Sequence, residues 1–176
     1  MKKLIMVLTI FALVSGALFA DQGVPEATAD NAVYVDLGPT FIALIGGGFG
    51  LGLGYERAIN PYWSLFGIVD YAGGTIRGTT SDTYNYLQLK VGGKFYFLGT
   101  AVEGVHLMAQ YQFTYGEILG LDGAFHNLMG TLGYKWTTGN LFFEMGVGYI
   151  HFFGESKKGN PLRSGMCLPI SIGFCW

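Results

Sequence analysis

The sequence predicts an all-β fold: an up-and-down antiparallel barrel of eight strands that spans a bilayer. Three observations predict it. First, of 176 residues 51% are hydrophobic and 16% aromatic, yet only 12% are charged, against about a quarter in an ordinary soluble domain. Second, beyond the N-terminal segment no uninterrupted apolar run reaches the roughly 18 residues of a spanning helix. A greasy chain without such a helix can satisfy all its backbone groups in hydrocarbon only by closing a barrel. Third, the strand-length runs alternate large apolar residues with small or polar ones, a period of two that gives a strand one apolar face.

The elements follow in order. Lys2 and Lys3, the uncharged and mostly apolar stretch Leu4–Val14, and small residues up to Ala20 read as a cleaved secretory signal peptide over residues 1–20. Without Lys2 and Lys3 the formal charge is 8 − 12 = −4, and no basic stripe offers a nucleic-acid surface. Residues 21–30 (Asp21 to Asp30) are polar and aperiodic, a short periplasmic lead. The barrel is expected over 31–176, with strands at 31–42, 49–58, 62–72, 84–97, 103–115, 126–136, 141–152 and 165–176. Most are longer than ordinary strands and long enough to cross a bilayer when tilted.

The connections alternate in length. Short ones fall at 59–61, 98–102 and 137–140; longer or Gly-rich ones fall at 43–48, 73–83, 116–125 and 154–164. Membrane barrels have short turns at the periplasmic end and longer loops outside, so both termini are expected at the periplasmic end. The 43–48 connection, short and apolar, fits this pattern least well.

The last strand carries Met166, Leu168, Ile170, Ile172, Phe174 and Trp176 on one parity, with small residues between. Chain ends are usually loose and polar; this one ends on an aromatic. Cys167 and Cys175 lie on the other parity of that strand, about 26 Å apart at ~3.3 Å per residue. That is too far for a disulfide, so both are expected to be free thiols packed inside.

The remaining strands sort the same way. One parity holds Leu51, Leu53, Tyr55, Leu65, Val69, Leu87, Leu89, Val91, Val105, Leu107, Leu128, Leu132, Met145 and Val147. The other holds the seven charges Asp36, Glu56, Asp70, Lys90, Lys94, Lys135 and Glu144, with Gln88, His106, Gln110, Gln112 and Thr131. A lipid-facing Arg or Lys costs ~2–4 kcal/mol at the midplane, so the charged parity is expected in the lumen. On the apolar parity Trp63, Phe95, Phe97, Tyr134, Trp136, Phe143, Phe174 and Trp176 fall at the turn ends of their strands. Tyr71, Phe113, Tyr115 and Tyr149 fall at the loop ends. Two aromatic belts mark two membrane interfaces, which a soluble barrel with an apolar interior would not need.

In architecture the chain resembles the small eight-stranded bacterial outer-membrane barrels, the group of the OmpA transmembrane domain, OmpX, OmpW and the lipid A-modifying barrels. The terminal Trp176 with Phe174, Ile172 and Ile170 matches the assembly signal of that group, although Ser171 stands where its glycine is usual. The resemblance implies a monomer in the cell outer membrane, in contact with outer-membrane lipid, lipopolysaccharide and the barrel-assembly machinery.

Three roles remain open for the lumen. Asp36, Glu56, Asp70, Gln88, Lys90, Lys94, His106, Gln110, Lys135 and Glu144 are the candidate lining residues, and their opposite charges could pair into a plug. Alternatively, Gly50, Gly52, Gly54, Gly146 and Gly148 could leave a cavity along one wall. A narrow porin-like channel for small solutes, apolar ones included, would then result, as OmpW-like channels are thought to provide. The third role is a lipid A-modifying enzyme using a rim histidine, His126 or His151. No Ser lies on the sixth strand to partner His126, so catalysis is not expected. The histidines and cysteines lack metal-ligand spacing, and no cofactor is expected. The loops 73–83 and 154–164, the second basic, leave an adhesin acting at the surface as an alternative.

Overall fold

The computed structural model describes residues 29–75, 83–118, 121–153 and 164–176. The expected signal peptide and residues 21–28 of the lead lie outside them. The described strands are β1 (Asn31–Asp36), β2 (Gly48–Asn60), β3 (Trp63–Thr75), β4 (Thr83–Thr100), β5 (Glu103–Ile118), β6 (Leu121–Thr138), β7 (Leu141–Phe153), β8 (Gly165–Cys167) and β9 (Ile170–Cys175). One helix, α1 (Gly38–Gly46), joins β1 to β2.

Every pairing is antiparallel, from β1–β2 through β6–β7, and the sheet closes through β7–β8, β7–β9 and β1–β9. β8 and β9 are one strand in one register: Met145 pairs with Ile170 and Gly148 with Cys167, with no residue inserted between. The interruption is at Leu168-Pro169, where proline has no N–H to donate, although its carbonyl still accepts from Gly146 N at 3.0 Å. The result is a closed, up-and-down, eight-stranded barrel.

Short turns and both described termini share one end, here the turn end. Asn60 Oδ1 accepts from Tyr62 N and Trp63 N at 2.9 and 3.0 Å, forming the β2–β3 turn. Asp30 N and Asn31 N both donate to Trp176 O at 3.0 Å, tying the chain ends together. Trp63 stacks near Phe95 and Trp136 near Tyr134, with ring centroids 4.8 and 4.4 Å apart, in the expected turn-end belt.

Two expectations at the opposite, loop end are corrected. The first strand does not run to residue 42; it stops at Asp36, and Gly38–Gly46 is helical. Pro39 suits a first helical turn, and Gly47, at φ 80°, suits the left-handed C-terminal cap. The run Phe41-Ile42-Ala43-Leu44 never alternated as a strand should. The third long loop also shrinks, because β5 and β6 stay paired to Ile118 and Leu121. Gly116 and Gly123 face each other there at φ 132° and 134°, a backbone region essentially open to glycine alone.

The short β1 leaves the wall incomplete. Beyond Asp36, which pairs with Gly52 and Ser171, β2 residues Gly48–Leu51 pair only with β3, and β8 pairs only with β7. α1 occupies this stretch, packed against β2 and β3, with Thr40 Oγ1 donating to Gly50 O at 3.0 Å.

The two faces sort as expected. All seven charges of the polar parity are buried inside, while Leu65 and Val91 are each 58% exposed on the outer wall. Arg57 departs from the pattern: it points outward on β2, near the β2–β3 turn.

Candidate functional site

The lumen divides into a sealed floor and a cavity above it. The floor is built on Glu56, which is fully buried. Glu56 Oε2 meets Lys135 Nζ at 2.5 Å and Lys94 Nζ at 2.8 Å. Its Oε1 accepts from Ser64 Oγ at 2.5 Å and Tyr96 OH at 2.7 Å. Lys94 also pairs with Glu144 Oε2 at 2.7 Å, and Lys135 reaches the same oxygen at 3.5 Å. His106 Nε2 lies 3.2 Å from Glu144 Oε1. One level nearer the loops, Lys90 pairs with Asp36 at 2.6 Å and with Asp70.

Each lysine thus bridges two carboxylates, which offsets the several kcal/mol that burying an isolated ion would cost. Aromatic rings add to this. Lys94 Nζ lies 5.6 Å from the Tyr34 ring centre and 5.4 Å from that of Phe66, and Lys135 Nζ lies 4.3 Å from that of Phe142.

The inward glycines do not leave a channel along their wall. A side chain on Gly54 would meet the Tyr34 ring, one on Gly52 would meet Asp70 and Asp36, and one on Gly50 would meet the Pro39 carbonyl. A side chain on Gly148 would meet the Gly130 carbonyl and Thr131 of β6 at similar closeness, and one on Gly146 would press less tightly on the Leu132 carbonyl. Gly54 and Gly52 make room for the ring and the carboxylates of the plug, and Gly50 for the start of α1.

Above the floor lies a cavity of about 260 Å³. Its lining is mainly apolar, with Ile42 of α1, Ile68, Met108, Met129, Ile150 and Phe152. Gln88, Lys90, Gln110 and Gln112 add polar groups on one side. Gly38 and Ile42 flank the wall gap from one edge, and Cys167, Leu168 and Pro169 from the other, so the cavity reaches that gap. A second hollow, of about 270 Å³, opens at the turn end between Ala29, Glu103, Asn140, Cys175 and Trp176. The two share no lining residue, and the ion cluster stands between them.

All ten candidate lining residues therefore face inward. Asp36, Glu56, Asp70, Lys90, Lys94, His106, Lys135 and Glu144 join the ion clusters, while Gln88 and Gln110 line the cavity. Gln88 Nε2 donates to Gln112 Oε1 at 3.1 Å and to Thr114 Oγ1 at 2.7 Å. Sequence reasoning missed Tyr34, Ser64 and Tyr96, whose hydroxyl or ring completes the floor, and Asn127 on β6. Their inward parity was the available signal. Of the terminal residues, Ile172, Phe174 and Trp176 point outward and Ile170 is half-buried. Both cysteines are free, with Cys175 buried and Cys167 half-buried on the cavity wall.

Both rim histidines face outward. His126 hydrogen-bonds Tyr111 OH on the neighbouring strand. His151 Nδ1 lies 2.8 Å from Ser164 Oγ, a serine outside the sixth strand. Neither of these hydrogen bonds goes to a carboxylate, the third group that orients a catalytic imidazole. Among the described residues no group of three His, Cys, Asp or Glu could hold a metal. The loops considered for adhesion lie mostly outside the described residues.

No protein-family model matches this chain, and no curated protein matches it in sequence.

Proposed function

We propose that this chain is a bacterial outer-membrane barrel that holds a small, mainly apolar solute in the loop-end half of its lumen and carries no ionic current. One observation carries the reading: an apolar-walled cavity of about 260 Å³ stands on a floor of fully paired ions. A cavity of about 150 Å³ already takes up benzene when its walls are apolar, and drug-sized ligands need about 300 Å³ or more. The solute therefore lies between those sizes. The wall gap beside α1 supports an approach from the membrane as well as from the loop end. Location in the outer membrane is supported by the outward apolar band and the two aromatic belts, and the outward Ile172, Phe174 and Trp176 suit an assembly signal.

The four methionines of residues 21–176 provide the test, because Met108 and Met129 line the cavity while Met145 and Met166 face outward. With ¹³C-methyl methionine in nanodiscs, added hexan-1-ol should shift the two lumen methyls saturably. The two outer methyls should follow bilayer partitioning in proportion to dose. In a planar bilayer the protein should be silent. Discrete conductance steps, or lumen methyls that ignore the probe, would sink the reading.

A further inference from the structure

The charges of this lumen do not balance. Among the described residues it holds four buried carboxylates, Asp36, Glu56, Asp70 and Glu144, against three buried lysines. In the floor, Glu56 and Glu144 share Lys94 and Lys135, a closed match. The excess therefore falls on Asp36 and Asp70, which have Lys90 alone between them. His106 faces Glu144, so a proton on its ring serves the floor and not this pair. Register brings the two carboxylates together. Gly52 pairs with Asp36 on one side and with Asp70 on the other, and a side chain on Gly52 would meet both. Asp70 is fully buried, and its Oδ1 has no hydrogen-bond partner. Two like charges so close in a closed lumen are costly without a second cation.

We propose that the cavity selects a monocationic amphiphile, an apolar body with one ammonium group, and that Asp36 receives the ammonium. The proposal rests on the solute-binding reading above and narrows its solute class. Asp36 suits the role by position. It belongs to the cavity lining and ends β1 at the edge of the wall gap. Its side chain is 11% exposed, where that of Asp70 is closed off. Its carboxylate accepts from Gly38 N and Lys90 Nζ, and a carboxylate has room for about four such bonds. An ammonium there gives the two aspartates their second cation, with Ile42, Ile68 and Met129 around the apolar body. The Tyr86 and Phe152 rings line the same cavity, and aromatic faces attract a cation. A hydroxyl would leave the excess charge in place, and a carboxylate would add to it.

The test compares hexylammonium, hexan-1-ol and hexanoate at equal mole fraction in nanodiscs of zwitterionic lipid, read on the methionine methyls of residues 21–176. At about pH 7 the amine is charged, as a lysine side chain is. Hexylammonium should half-saturate the Met108 and Met129 shifts at about tenfold lower concentration than hexan-1-ol, the scale of one hydrogen bond to a charged group. Hexanoate should need the most. Asp70→Asn removes the excess charge at a residue outside the cavity lining. It should bring the ammonium within about twofold of the alcohol and leave the alcohol response as it was. Gln88→Lys places a counter-ion directly across β3–β4 from Asp70; it should also remove the preference, and serves if Asp70→Asn fails to fold. Equal half-saturation by ammonium and alcohol in the unaltered protein means that the excess charge is neutralised without the ligand. That result overturns the proposal but leaves the solute-binding reading standing. An ammonium preference that survives these substitutions also overturns it. Lumen methyls that respond saturably to no probe overturn the solute-binding reading itself.

Discussion

The two halves of this lumen are built from the same strands and solve burial in opposite ways. At the turn-end side, Glu56, Glu144, Lys94 and Lys135 form one cluster in which every charge has two or more opposite neighbours, capped by the Ser64 and Tyr96 hydroxyls. At the loop-end side, the single lysine Lys90 with Asp36 and Asp70 gives way to the amides of Gln88, Gln110 and Gln112, several buried polar atoms lack hydrogen-bond partners, and the wall itself loses a strand beyond Asp36. An isolated buried ion costs several kcal/mol and must be matched for the barrel to fold. An unpaired amide costs less and can persist. Charge pairing therefore closes the turn-end half, while the loop-end half keeps a cavity.

The largest test of that contrast removes the centre of the floor. Glu56→Ala leaves Lys94 and Lys135 sharing Glu144 alone and should cost about 3–5 kcal/mol. Equilibrium urea unfolding of the barrel refolded in lipid vesicles would measure it. Adding Lys135→Met should recover much of the loss; no recovery would mean that the cluster does not act through charge balance.

The contrast also takes the outer wall to face lipid along its length. Val69, outward at the middle of β3, pairs with Leu53 and Leu89. Val69→Arg should cost ~2–4 kcal/mol in the same assay, and Tyr115→Arg, near the loop end, about 0–1 kcal/mol. Equal small costs at both depths would remove the bilayer from the account.

The mildest test sharpens the role of glycine in the floor. Gly54→Val would drive a side chain into the Tyr34 ring and should cost about 1–3 kcal/mol through overpacking. Gly67→Ala meets only the Lys90 carbonyl, at 3.8 Å, and should lie within about 0.5 kcal/mol of the parent. Matched small losses at both sites would mean that Tyr34 has room to move and that the plug is looser than its contacts suggest.

Much of this molecule was legible from the sequence because a strand has only two faces. Once Lys90 and Lys94 share a parity opposite Leu89 and Val91, hydrocarbon on one side leaves the lumen as the only place for the charges. Parity therefore determined the barrel, its inward set and its aromatic belts. Parity cannot say which inward groups meet across the lumen, since Lys135 and Glu56 are 79 residues apart. Their pairing is decided by strand order, tilt and the room left by Gly52 and Gly54.

The same limit explains the errors. The glycine-lined cavity, one of the alternatives left open beside the ion-paired plug, could not be decided because a sequence does not say what other strands project into such a space; the Tyr34 ring and the Asp70 carboxylate do. Strand 1 was extended into α1 because an apolar run reads as either element when its Pro39 and Gly46-Gly47 punctuation is given too little weight. By itself the sequence determined that this chain forms a greasy-sided eight-stranded cylinder with charges inside. Only the tertiary structure decided that the charges close one half while the other half keeps a cavity, because side-chain meetings across a barrel depend on its three-dimensional closure and not on local periodicity.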